Sequence, residues 1–103
     1  MENKEQIERN TKYETMMDRV VAVDRALEKA LELFERTEEM SAELDRYLAG
    51  EDWKRDFCDD EAGLLPRELK CGVLSEDGLY DALEARRALY GRMLRVCGAW
   101  FEK

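Results

Sequence analysis

YETMMDRVVAVDRALEKALELFERTEEMSAELDRYL, residues 13–48, contains no proline and no glycine, and its apolar residues recur at alternating steps of three and four. Tyr13, Met16, Val20, Val23, Leu27, Ala30, Phe34, Thr37, Ser41, Leu44 and Leu48 keep one register, with polar residues weakening the stripe at Thr37 and Ser41. That is the period of a helix face. Met17, Val21, Leu31, Leu33, Met40 and Tyr47 widen the stripe, which suits a helical bundle as well as a coiled-coil seam. From residue 3 to about residue 49 there is no proline and no glycine, and Gly50 falls where a helix-ending glycine belongs. One long helix is therefore expected over 3–49. Roughly 45 helical residues would span about 67 Å, more than a chain of 103 residues needs for a globule. The first turns, to about residue 12, hold one large apolar residue, Ile7. They are expected to fray or project.

Downstream, residues 51–75 differ in kind. Glu51 and Asp52 ahead of Trp53 suggest a short helix with Trp53 and Phe57 one turn apart on one face. Gly63 is placed to end it. Pro66 suits the first position of a further turn of helix over 66–70, which Gly72 would close. Leu64, Leu65, Leu69, Val73 and Leu74 supply apolar anchors, so this connection is expected to be packed. Ser75 reads as the N-cap of a second long helix over 76–101, with Glu76 and Asp77 in its first turn, where the helix dipole favours negative charge. The fold class is thus all-α: a long N-terminal helix and an antiparallel C-terminal helix, joined by a packed segment of short helices, in one domain of 103 residues. An antiparallel return bringing Leu48 near Gly78 would set Glu32, Glu35 and Glu39 opposite Arg86, Arg87, Arg92 and Arg95.

Charge and composition narrow the function classes. The chain carries 17 Lys+Arg against 25 Asp+Glu, a formal charge of −8. Such a balance argues against nucleic acid or an anionic membrane as partner. No apolar run approaches the ~20 residues of a membrane span, and MENKEQIERN lacks the apolar core of a secretory signal. Histidine is absent, which removes the commonest general base and the commonest zinc ligand together. Cys58, Cys71 and Cys97 match no zinc or redox spacing and read as three reduced thiols; a Cys58–Cys71 pair across the middle loop is the alternative. A cytoplasmic location is expected, and no cofactor is implied.

The middle segment also carries a resemblance. Trp53, Asp56, Glu61, Gly63, Pro66, Leu69, Gly72, Val73, Leu74, Ser75, Glu76, Asp77, Tyr80 and Leu83 form a W-x2-D-F-x3-E-x-G-x2-P-x2-L-x2-G-V-L-S-E-D-G pattern running on to Tyr80 and Leu83. This resembles a small bacterial family of short acidic helical proteins known only as a domain of unknown function. The resemblance implies a bacterial cytoplasmic origin and a long first helix. It implies no activity. Cys58 and Cys71 stand outside the pattern.

Two functional readings follow. In the first, the chain is a non-catalytic interaction module, binding a protein partner or a second copy of itself through apolar faces. Trp53, Phe57, Leu65, Leu69, Tyr80, Tyr90 and Trp100 are its candidate contact residues. In the second, Asp56, Asp59, Asp60, Glu61 and Asp77 hold a divalent cation for an enzyme acting on a phosphorylated small molecule, since hard cations need several oxygen ligands. The acidic spacing is not that of an EF-hand loop. Acids at helix starts serve first as caps and solvated surface, and aromatics at helical spacing serve first as core, so the interaction reading leads.

Overall fold

A computed structural model describes residues 3–103, and among them every regular element is helical. The elements are α1 (Lys4–Arg36), α2 (Glu38–Ala49), α3 (Glu51–Glu61), a 3-10 turn (Gly72–Leu74) and α4 (Gly78–Phe101). Met1 and Glu2 lie outside the described residues. Where the sequence leads one to expect a single domain over 1–103, the chain falls into two compact units, one ending at Glu38 and the other running Glu39–Lys103.

The first unit is in essence α1. Its 33 residues include no helix breaker; the first turns, expected to fray or project, are helical from Lys4 and exposed. The long helix expected over 3–49 is instead interrupted at Thr37. There the backbone N–H is shared between the Leu33 and Phe34 carbonyls, at 3.2 Å each, and the Thr37 hydroxyl donates to the Phe34 carbonyl at 2.9 Å. A β-branched residue whose hydroxyl competes for a nearby carbonyl weakens the regular ladder. The polar gap in the heptad stripe marks the same position. No residue of α1 is buried.

The second unit is organised around the 3-10 turn, which lies against both α3 and α4. Its core is small: Leu74 from the turn, with Leu79 and Leu83 one helical turn apart on α4, are the buried apolar residues, at 4–6% exposure. Burying a leucine fully contributes about 2 kcal/mol, so this trio is the main apolar support of the unit. α3 ends as its glycine foretells. Gly63 has φ +73, the Gly63 N–H donates to the Asp60 carbonyl at 3.1 Å, and the Leu64 N–H donates to the Asp59 carbonyl at 2.9 Å. These two bonds make a Schellman motif, which requires a left-handed residue at Gly63.

Two expectations shift. Pro66 does not start a helix over 66–70; the segment makes one reverse turn, with the Leu69 N–H donating to the Pro66 carbonyl at 3.1 Å. A single turn there leaves Gly72 free to open the 3-10 turn rather than close a helix. Ser75 is not the residue flanking α4, which starts at Gly78 with Asp77 before it. The capping contact nonetheless exists: the Ser75 hydroxyl accepts the Gly78 N–H at 3.1 Å and donates to the Gly72 carbonyl at 2.9 Å. Ser75 therefore clasps the 3-10 turn to the first residue of α4. Gly78 must lack a side chain for this, because a Cβ would stand 2.2 Å from the Ser75 hydroxyl and 2.9 Å from the Gly72 carbonyl oxygen.

The ion-pair register also differs from the expected one. Arg87 bonds Asp45 of α2 at 3.0 and 3.3 Å, and Glu84 within its own helix, rather than Glu39. Asp45 lies more than one turn further along α2 than Glu39. Glu32 pairs with Arg36 in its own helix at 2.7 Å.

Leu83→Ala is expected to lower the stability of the second unit by about 3 kcal/mol in urea unfolding, as a large-to-small change in so small a core. Gly78→Ala is expected to cost about 2 kcal/mol by forcing the Ser75 clasp apart; a change below ~0.5 kcal/mol would show that the clasp relaxes freely.

Candidate functional site

The middle segment is held by polar and aromatic contacts more than by apolar ones. The Trp53 indole N–H donates to the Val73 carbonyl at 2.8 Å, joining α3 to the 3-10 turn across twenty positions of sequence. The Trp53 and Phe57 rings, one turn apart as the sequence predicts, stack with centroids 5.1 Å apart and planes inclined by 16°. The Tyr47 hydroxyl donates to the Asp56 carboxylate at 2.6 Å, bridging α2 to α3 over the Gly50 corner. This bond, reinforced by burial and by the charges of Asp56 and Asp52, pushes the Tyr47 phenol up from 10.0 to about 12. Burial raises the Cys71 thiol, with the charge and hydrogen bond of Asp60 adding to it. Cys58, Cys71 and Cys97 are all free thiols.

The candidate metal ligands are not gathered. Asp56 is engaged by Tyr47, and Asp60 faces Cys71. Glu61 and Asp77 are exposed at opposite ends of the intervening loop, and Asp59 is half-buried on α3. Among the described residues, no group of three or more carboxylates or thiols is arranged to hold a metal ion. A recess lined by Gln6, Arg9, Asn10 and Tyr13 lies along one face of α1 alone, so it has no opposing wall that would enclose a ligand.

The candidate contact residues divide. Trp53, Phe57 and Leu65 are half-buried, and the first two are occupied in fastening the middle segment. Leu69, Tyr80, Tyr90 and Trp100 are exposed. Arg86 lies over the Tyr90 ring at 5.9 Å, and Lys103 over Trp100 at 5.6 Å. The candidate contact residues on α4 leave out four other exposed apolar ones: Leu94 is 75% and Phe101 83% exposed, and Leu89 and Val96 are exposed as well. Their wide spacing around α4 was the available signal. α1 likewise leaves its stripe open. Tyr13, Met16, Met17, Val20, Val23 and Leu27 are each about half exposed, at 49–58%. Isolated exposed apolar residues are ordinary, but contiguous apolar strips of this length on a surface mark interaction sites. The Tyr47–Asp56 bond was also missed; two polar groups flanking a glycine corner, each within reach of the other, were its only trace.

No helix among the described residues is long and apolar enough to cross a membrane. The model of a family described as a domain of unknown function, DUF4298, matches residues 11–96. No curated protein and no solved structure matches the chain.

A raised phenol stabilises the fold fully below its unfolded value of 10.0, and that contribution is lost as pH rises through about 12. Tyr47→Phe is therefore expected to be about 1 kcal/mol less stable than wild type near neutral pH. The gap between the two should close as urea midpoints are followed from pH 10 towards 12. A gap that stays constant over that range would show that the phenol proton is not what Asp56 holds.

Proposed function

The chain belongs to the DUF4298 family, and from that premise we propose that it is a non-catalytic protein–protein interaction module of the bacterial cytoplasm. The observation that carries this reading is an imbalance. Among the described residues the buried apolar core is three leucines, whereas α1 and the last three turns of α4 keep long apolar strips in water. Covering such strips is favourable by about 25 cal/mol per Å², and helix faces patterned at steps of three and four are suited to lie against another helix. The polar chemistry points the same way. Asp56 is held by a tyrosine, Asp60 stands beside a thiol, and Arg87 is satisfied by Asp45 and Glu84. Each of these contacts fastens the fold.

Thermal melts with and without millimolar magnesium or manganese separate this from metal-dependent catalysis. No shift beyond error is expected. A large cation-dependent rise in Tm that disappears in the Asp60→Asn, Glu61→Gln double variant would restore the catalytic reading, because a ligand that binds only the folded state raises Tm by mass action.

A further inference from the structure

The interaction reading leaves the occupant of the α1 face open, and the charges flanking that face choose one. With Tyr13 placed at heptad position a, Val20 and Leu27 follow at a, and Met16, Val23 and Ala30 at d. Arg19 then occupies g and Asp24 occupies e. In a parallel, in-register two-stranded coil, each g residue faces the e residue five positions on in the partner, and such pairs set orientation and partner choice. Arg19 would face Asp24 of the partner subunit, twice by symmetry. The pairs before and after it, Lys12 with Met17 and Ala26 with Leu31, place no like charges together. An antiparallel coil sets g against g and e against e, so Arg19 would never meet Asp24 in any register. Neither Arg19 nor Asp24 takes part in an ion pair within the chain among the described residues. We infer that α1 pairs with α1 of a second copy of this chain as a parallel coiled coil over residues 12–31, making the protein a homodimer. This inference rests on the interaction reading and names its partner.

Solvent exposure supports the assignment, since Tyr13, Met16, Val20, Val23 and Leu27 are all exposed. Over residues 12–31 the a, d, e and g positions place about a dozen side chains of each helix at the seam. Most of a helix's stability in a protein comes from packing of its amphipathic face, and no residue of α1 is buried. The seam also lies wholly within the part of the chain that the family match covers, which begins at residue 11.

Sedimentation equilibrium of the full chain tests it. Wild type is expected to sediment at twice the chain mass of 12.1 kDa. The Val20→Glu, Leu27→Glu double variant should sediment as the single chain while the second unit keeps its cooperative thermal transition. Arg19→Glu and Asp24→Arg should each weaken the dimer by about fivefold, and the two together should restore it. With Cys58, Cys71 and Cys97 changed to serine, a Met16→Cys variant should oxidise to a disulfide-linked dimer, which only the parallel in-register arrangement brings within bonding distance. A dimer unaffected by the Val20 and Leu27 changes would overturn the α1 assignment and leave the interaction reading standing. A dimer without charge-swap rescue and without the cross-link would overturn the parallel register. A monomer at every concentration would overturn the inference outright; slow hydrogen exchange along α1 in that monomer would overturn the interaction reading of this face as well.

Discussion

The hydrogen bond from the Trp53 indole to the Val73 carbonyl secures the 3-10 turn to α3, and one residue later Leu74 is buried with Leu79 and Leu83 of α4. A turn of three residues has almost no stability of its own. It persists because its middle residue, Val73, is tied by an indole, its first, Gly72, by the Ser75 clasp, and its last, Leu74, by burial. The stacking of Phe57 on Trp53 limits the indole's rotamers and so aims its N–H. Loss of that aim would release Val73, then Leu74, and with it the contact between the loop and α4.

So small a core explains the rest of the second unit. Three buried leucines do not hold α2, α3 and α4 together unaided, and polar contacts supplement them. Tyr47 bonds Asp56 across the Gly50 corner, and Arg87 bonds Asp45 between α2 and α4. Both contacts are partly solvated, so each is worth far less than its geometry suggests. They define which residues face each other more than they add stability. A unit built this way gains much from any further apolar cover, and the open strip Leu89–Phe101 on α4 is where such cover is missing. α1 is the extreme case, a helix whose heptad stripe from Tyr13 to Leu27 is exposed.

Much of the fold was legible in particular residues. The step-three, step-four pattern from Tyr13 to Leu48 identified helix, and Thr37, a polar member of that stripe, is where the helix is interrupted. Gly63 announced its own turn because only a left-handed residue completes the motif. Ser75 was recognised as a cap, although the helix it serves begins later, since a serine hydroxyl reaches the same N–H from a turn or from a helix start. Pro66 precedes a reverse turn rather than opening a helix: it is position i of the turn 66–69, where its carbonyl accepts the Leu69 N–H and its fixed φ plays no part. Among the candidate site residues, the aromatic pair Trp53 and Phe57 came together, whereas the acidic set Asp56, Asp59, Asp60, Glu61 and Asp77 dispersed. Carboxylates near in sequence repel one another and take separate partners unless a cation offsets the charge.

By itself the sequence determined the helical class, the glycine-marked ends at Gly50 and Gly63 and the faces that are apolar, because these depend on periodicity and on backbone constraints local to a few residues. Tertiary structure alone decided that Trp53 would bond a backbone carbonyl twenty residues away, that Arg87 would choose Asp45 over Glu39, and that three leucines would be buried while whole seams stay in water. A carbonyl acceptor carries no side-chain signature, an arginine reaches any of several acids, and burial depends on which surfaces the folded path happens to bring together.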